Sequence, residues 1–350
     1  MAATIKDIAR MTGLGLATIS SYLNGGNVRE KNRIKIEKAI EELHFEVNEV
    51  ARGLKTNRTH TVGVVIPELN NEFCSEVITS MEDVLRSHGY AAMVCDCRTN
   101  PELERQAVEF LSRKRVDALV NMPVDSSGEH LRQFAAQGRP IVLMDRAVSS
   151  EICCDRVLVD NVSATKHAVE YLLKRGHRRI GVLAGPKEIF TVDERLRGYL
   201  EALGEAGIRP DEKLIYCGDF TLESGICGMK KLRAENPEMT AVLAINYETT
   251  IGAMIGLNEQ HLRVPEQMSL IGFDNRHFAR ACSPGLTFVA QPTRKIGEEV
   301  ARLVLERLKE PKKQKNEENG QEVQQAEPVE IRLKTELVEG SSVGVCGEKR

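Results

Sequence analysis

From Thr61 onward the chain alternates short, uninterrupted apolar runs with amphipathic stretches of helical length, and this alternation restricts the fold more than any other feature. Runs at Val62–Ile66, Ala91–Val94, Ala118–Met122 and Ile141–Met144 are separated by helical stretches at Cys74–His88, Pro101–Lys114 and Gly128–Gln137. A strand that reads apolar throughout is covered on both faces, so the pattern predicts a parallel sheet with helices on either side. A second set repeats it, with runs at Ile180–Leu183, Leu214–Tyr216, Ala241–Ile245 and Leu270–Phe273. Its helices fall at Ala164–Arg175, Asp193–Ala206, Leu222–Glu235 and Thr249–His261. The expectation is an α/β core of two similar lobes in tandem, each a doubly wound parallel sheet.

The first sixty residues read differently, as short helices with little core. Helix one is expected at Ile5–Met11 with Thr4 as its N-cap and Gly13 turning the chain. Helix two is expected at Leu16–Leu23, stopping at Asn24-Gly25-Gly26. Helix three spans Lys31–His44, where Ile34, Ile36, Ala39, Ile40 and Leu43 form an apolar stripe. The spacing of Ala9, Gly13 and Ile19 meets the needs of a helix-turn-helix: a small residue at the helix crossing, glycine at the turn, and a branched apolar residue packing back. On that reading Thr18 and Ser20 offer hydroxyls to phosphates, while Leu16 and Ala17 reach base edges in the major groove. Residues 1–35 carry six basic against two acidic side chains, net +4, on a chain of net charge −3. A basic head suits phosphate contact; an ordinary helical hairpin with a solvated surface is the alternative.

At 350 residues the chain is long enough for two or three domains, and 41% hydrophobic with 28% charged residues is the balance of a soluble protein. There is no apolar run long enough to cross a bilayer and no secretory leader pattern, so no membrane association and a cytoplasmic location are expected. The nine cysteines show no metal or disulfide spacing; Cys95 and Cys97 read as packed side chains rather than a redox pair. No cofactor and no metal are expected. Residues 310–327 are expected to be a disordered insertion, followed by a strand over Val329–Val338. No heptads follow Gly340, and the nominal GxSxG at Gly340–Gly344 has only six residues after it, so this stretch is expected to be a flexible tail rather than a nucleophile elbow. Phosphate-loop, dinucleotide and zinc-protease motifs are missing, and the chain is not expected to be an enzyme.

With these features in place the chain resembles the lactose-repressor (LacI/GalR) family of bacterial transcription regulators. TIKDIAR, LATIS and the asparagine of YLNG resemble the family headpiece, and NEVARGLKTNRTHTVGVVIPELNNEF its hinge and first core strand. VDALV, RGHRRIGVLAGP, ERLRGY, LRVPEQMSLIGFDN and LTFVAQP follow in the family order. The resemblance implies a headpiece at 1–48, a hinge helix and linker at 49–60, a two-lobed periplasmic-binding-protein-like core at 61–340 and a tail at 341–350. It implies DNA contacts from Thr4, Leu16, Ala17, Thr18, Ser20, Ser21, Asn24, Arg29 and Arg33. Hinge contacts would come from Val50, Ala51, Leu54 and Lys55, with Leu54 as a wedge in the minor groove. Two hinges imply a homodimer on near-palindromic operator DNA.

An effector, expected to be a sugar or sugar derivative, would then lie between the lobes. Asn71, Phe73, Asp145, Arg146, Asp160, Asn161, Arg195, Asn246 and Asp274 are its expected contacts, because carboxylates, amides and arginines suit hydroxyl groups. The implied function is a sequence-specific regulator, expected to be a repressor, controlled by that ligand. Ser21, Val47 and Gly15 depart from the family's frequent base-reading residue, hinge proline and N-cap serine; Cys74 and Tyr247 depart in the core. A periplasmic-type sugar-binding protein and a cytosolic sugar enzyme are the competing readings. The first would need a leader in place of the helix-turn-helix, the second a phosphate loop or acid/base cluster.

Overall fold

A computed structural model describes residues 3–23, 26–45, 58–274, 276–309 and 327–347, and its packing separates into two units, Met1–Thr59 and His60–Arg350. In the first unit α1 (Ile5–Thr12), α2 (Leu16–Leu23) and α3 (Glu30–Leu43) close over a small core of Ile8, Ile19, Ile36 and Ala39. Thr4 caps α1: the Asp7 carboxylate accepts from its backbone N–H at 3.0 Å and from its hydroxyl at 2.7 Å, an exchange worth about 1 kcal/mol to a helix start. Gly13 ends α1 with φ 68°, and its N–H donates to the Ala9 carbonyl, which is why the turn needs glycine. Ile34 does not join the apolar stripe expected for α3; it is 58% exposed. At 3.6 residues per turn Ile36 and Ala39 face the core, and Ile34, two residues before Ile36, is turned away.

The second unit holds two six-stranded sheets. The first consists of β1 (Thr61–Ile66), β2 (Ala91–Asp96), β3 (Ala118–Asn121), β4 (Ile141–Met144), β5 (Asp155–Val159) and β11 (Glu330–Leu333). The second consists of β6 (Ile180–Ala184), β7 (Ile215–Cys217), β8 (Ala241–Ala244), β9 (Ser269–Phe273), β10 (Thr287–Ala290) and β12 (Glu336–Val338). Their orders, β11-β5-β4-β3-β1-β2 and β12-β10-β9-β8-β6-β7, are the same pattern twice, and of these strands β12 alone runs antiparallel to its neighbour. The connecting helices are α4 (Glu72–Ser87), α5 (Pro101–Arg113), α6 (Arg132–Ala135), α7 (Asn161–Lys174), α8 (Phe190–Glu205), α9 (Leu222–Glu235), α10 (Tyr247–Glu259), α11 (Arg276–Ala281) and α12 (Thr293–Lys309).

Three expectations need correction. The lobes are interleaved rather than in tandem. The chain enters the second lobe after β5, and returns after β10 so that Ile296, Val300, Val304 and Leu308 of α12 fill the first lobe's core beside Val62, Val64 and Val77. It crosses again between β11 and β12. Gly297 permits the tight seating of α12, since a Cβ there would stand 2.4 Å from the Val77 carbonyl oxygen. The single strand expected over Val329–Val338 is therefore two strands in different sheets, parted at Lys334 and Thr335. Nor is the stretch after Gly340 a loose tail. Ser342 is fully buried, its hydroxyl donating to the Leu270 carbonyl at 2.6 Å and accepting the Thr287 N–H at 2.8 Å, and Cys346 N–H donates to the Arg175 carbonyl. The expected insertion at 310–327 lies outside the described residues except for its last position.

The return of the chain into β11 is fixed by a buried ion pair. Asp155 is 3% exposed and accepts two bonds from Arg307, at 2.8 and 2.7 Å, and one from the Val329 N–H at 2.8 Å. Removing one partner of such a pair strands the other charge, at a cost of about 3–5 kcal/mol. Asp155→Ala should lower the unfolding free energy of the core by that amount, read as a lower urea midpoint at unchanged slope; a loss under about 1 kcal/mol would show that the pair does not hold β11.

Candidate functional site

The shared strand order gives each lobe an equivalent corner, and the two corners carry the central charges. β4 ends in Met144 and is followed by Asp145; β9 ends in Phe273 and is followed by Asp274. Both aspartates adopt left-handed backbone, φ 63° and 64°, which a short polar side chain tolerates better than a bulky one. Each N–H is anchored to the neighbouring strand, Asp145 to the Val157 carbonyl at 3.0 Å and Asp274 to the Val289 carbonyl at 2.8 Å.

Between the lobes lies a cleft, lined by both of them, that encloses about 80 Å³. Asn71, Phe73, Asp145 and Arg146 line it from the first lobe; Arg195, Asn246 and Asp274 line it from the second. Seven of the nine residues expected to contact an effector thus meet in one place. Asp160 and Asn161 do not line it. Asp160 caps α7, accepting the Ser163 N–H at 3.1 Å. Asn161 is fully buried and accepts from Arg195 Nε at 2.7 Å, so it aims the arginine that the cleft exposes.

Arg195 is 4% exposed, with its guanidinium 4.4 Å from the centre of the Phe273 ring and bonded to the Ile245 carbonyl. Burial lowers its pKa, although Asp145 and Asp274 pull the other way. Burial likewise raises Asp274 to about 6, while Arg195 and a 2.9 Å hydrogen bond from the Gln291 amide act against the rise. Arg146 lies 3.5 Å from Asp145 and donates to the Pro123 carbonyl at 3.1 Å. Asn71 and Asn246 also cap helices, accepting the N–H of Cys74 at 3.3 Å and of Thr249 at 3.1 Å. Two buried atoms in the lining have no hydrogen-bond partner among the described residues: the donor Arg146 Nε and the acceptor Gln291 Oε1. Buried polar groups are ordinarily satisfied, so an unsatisfied one in a cavity marks a place for a polar ligand.

The cleft also uses side chains that were not selected from the sequence: Glu68, Met122, Thr191, Phe220, Glu248 and Gln291. Gln291 stood in view within LTFVAQP. Met122 ends the apolar run Ala118–Met122, and the others come from loop or helix-start positions that no periodicity marks. Cys74 and Tyr247, noted above as departures, line the cleft too. Burial raises the Cys74 thiol to about 12, so it is an inert packing group there.

In the helical unit, Leu16 is 48% exposed at the start of α2 and Ala17 is exposed beside it, with Thr18, Ser20 and Ser21 partly exposed along the helix. An apolar side chain open to solvent at that position is available to touch a partner. Arg29 and Arg33 are exposed at the start of α3, where Arg33 pairs with Glu37 at 2.9 Å; such surface pairs are weak and yield readily to phosphate. Asn24, Val50, Ala51, Leu54 and Lys55 lie outside the described residues.

Comparison with known proteins gives the same picture over nearly the whole chain. Residues 4–48 match the family described as bacterial regulatory proteins, lacI family, and residues 169–343 match a periplasmic binding protein-like domain. The transcriptional repressor CytR of Escherichia coli K12 is 34% identical over 312 residues, covering 88% of this chain and 90% of its own. Among solved structures, the lac repressor dimer bound to operator and an anti-inducer aligns with a TM-score of 0.83 at 25% identity, covering 98% of this chain and 100% of that one. The regulator CelR in complex with cellobiose aligns with a TM-score of 0.71 at 30% identity, covering 97% and 99%. Among the described residues no helix is long and apolar enough to cross a membrane.

The raised pKa of Asp274 has a measurable effect on stability. The folded protein holds this proton to about 6 against an ordinary 3.8, so it binds more protons than the unfolded chain and loses stability as pH rises through that window. Asp274→Asn removes the buried charge and keeps an acceptor for Gln291. The variant should be more stable than the parent by about 3 kcal/mol at neutral pH, with the difference vanishing near pH 4. Thermal melts across that range check it; a pH-independent difference would show that the charge is not responsible.

Proposed function

The chain belongs to the LacI family of bacterial regulatory proteins, and we propose that its affinity for operator DNA is set by a sugar or sugar derivative held between the two lobes. It is a DNA-binding transcriptional regulator, with a helix-turn-helix unit joined to a periplasmic-binding-protein-like core. One observation carries the ligand reading. A carboxylate and a guanidinium face the cleft from each lobe, Asp145 with Arg146 and Asp274 with Arg195, and the buried Arg146 Nε, 3.5 Å from Asp145, makes no hydrogen bond among the described residues. Hydroxyl groups donate to carboxylates and accept from guanidinium groups, so a polyhydroxylated molecule satisfies both lobes together. Phe73, Phe220 and Tyr247 supply apolar surface for the face of a ring.

On this reading a homodimer sets two copies of α2 in successive major grooves of a near-palindromic site. Residues 16–21 read bases and phosphates, and the hinge residues Val50, Ala51, Leu54 and Lys55 enter the central minor groove. Ligand binding draws the lobes together and changes how the two cores meet. Operator affinity then shifts by a coupling of about 1–3 kcal/mol. Repression in the bound state follows the named activity of CytR.

Selection of duplexes from a random pool by the purified protein, with and without sugars, sugar phosphates and nucleosides, tests the proposal. An enriched palindrome whose recovery responds to one ligand is expected; no enrichment under any condition would leave a ligand-binding protein without an operator. With the ligand in hand, Asp145→Asn should weaken its binding about tenfold or more while leaving ligand-free operator affinity in place, since a charged hydrogen bond is worth about 1.5–3 kcal/mol. Leu54→Ala should reduce specific operator binding far more than nonspecific binding. Equal losses would count against the wedge.

A further inference from the structure

Beside the cleft, α4 of the first lobe and α11 of the second bring three metal-ligating side chains together. Glu72 and Glu76 are one helical turn apart on the same face of α4. His277 projects from α11 with its Nε2 3.8 Å from a Glu72 oxygen, and one ligand atom from each of the three lies within 4.8 Å of the other two. Among the described residues neither glutamate has a lysine or arginine partner. Their bonds are to neutral hydroxyls, Thr293 to Glu76 at 2.7 Å and Tyr247 to Glu72, which leave both negative charges in place.

A second observation comes from the cavity wall. A small cavity bounded by Glu72, Glu76, Asp274, Thr293 and Gln291 adjoins the cluster. Gln291 is 7% exposed, and its Oε1 is the buried acceptor that has no donor among the described residues. A cavity walled by three carboxylates and an orphaned amide oxygen has an excess of acceptors, and a cation relieves that excess. Arg276 also borders the cavity, yet no ion pair joins it to these carboxylates among the described residues.

We propose that Glu72, Glu76 and His277 form a divalent metal site, suited to zinc, that fastens the two lobes beside the effector cleft. Imidazole nitrogen with carboxylate oxygen is a donor set for zinc rather than for calcium or magnesium, which take oxygen alone. Tetrahedral zinc, with bonds of about 2.0–2.2 Å, holds its ligand atoms about 3.4 Å apart. The three ligand atoms stand within 4.8 Å of one another, and the His277 side chain, 77% exposed, has room to turn toward the glutamates. Water, or Gln291 Oε1 through a water, completes the shell. Because the ligands come from both lobes, the ion resists their separation, and it stabilises whichever lobe arrangement brings α4 and α11 together.

The test uses the full-length protein, stripped with a chelator and titrated with zinc chloride by calorimetry. One zinc per chain is expected, with affinity reduced at least tenfold by His277→Ala and, separately, by Glu76→Gln. Cobalt(II) substitution guards against the six cysteines that are exposed or half-exposed. Nitrogen and oxygen ligation gives weak visible bands without a thiolate-to-cobalt charge-transfer band. No zinc uptake, uptake unchanged in both variants, or a thiolate band that carries the stoichiometric site would each overturn the proposal. Operator binding and its ligand response are measured in chelator, so failure of this site is distinguishable from failure of the regulatory reading.

Discussion

The ligand-facing geometry depends on two backbone hydrogen bonds, Asp145 N–H to the Val157 carbonyl and Asp274 N–H to the Val289 carbonyl. A residue in left-handed conformation is held there at a cost of about 1–2 kcal/mol, and it persists only where its surroundings fix it. In each lobe the fixing group is the next strand out, β5 or β10, which accepts from the aspartate as the chain leaves the sheet. The two carboxylates are thereby turned toward the gap between the lobes rather than along the strand direction. Without β5 and β10 the corners would relax, and Arg146 and Arg195 would lose the charges set opposite them.

Three crossings between the lobes follow from the same duplicated order. A single linker would leave two independent domains. Strands β11 and β12, separated by two residues and placed at corresponding edges of the two sheets, oblige the lobes to move as a hinged pair. The Asp155–Arg307 pair and the buried Ser342 hydroxyl sit near these passages, so the polar groups that the core buries concentrate where the chain changes lobe. Burying charge is costly unless it is paired and geometrically fixed; here it specifies which strand the returning chain must join.

How much of this was legible in the sequence depends on whether the determining contact was local. The strands β1, β3, β4, β8 and β9 and most of the helices were read from apolar runs and their spacing, because burial on both faces writes itself into a continuous segment. Gly13 and Thr4 were legible for the same reason, since a cap or a turn is settled by residues within a few positions. β5 was missed because Asp155 and Arg156 interrupt its apolar character, and Asp155 is explained only by Arg307, 152 residues away. Ser342 was read as tail because its partners, Leu270 and Thr287, are equally remote. In the cleft, the family order located the corner aspartates and Arg195, whereas Thr191, Phe220 and Glu248 sit on loops or helix starts whose sequence carries no period. Asp160 and Asn161 were placed correctly at the start of a connection, but position alone could not separate a residue that would touch a ligand from one that aims its neighbour.

That distinction matters for how the cleft communicates with the rest of the core. Arg195 faces the cleft and donates to Asn161 at 2.7 Å; Asn161 donates in turn to Glu194 at 3.4 Å; and Glu194 accepts from Arg332 of β11 at 2.9 Å. Glu194 and Arg195 are adjacent on α8, so one turn of one helix holds both the cleft and the crossing strand of the opposite lobe. A ligand that shifts Arg195 has to shift Asn161, because a buried amide cannot give up its partner without leaving a polar group unsatisfied. The strain then reaches the Glu194–Arg332 contact, the longest-range ion pair in this chain of bonds and the one that spans the lobes. The cleft is therefore joined to the hinge by charge-assisted hydrogen bonds rather than by apolar packing alone, and such bonds are directional as well as strong.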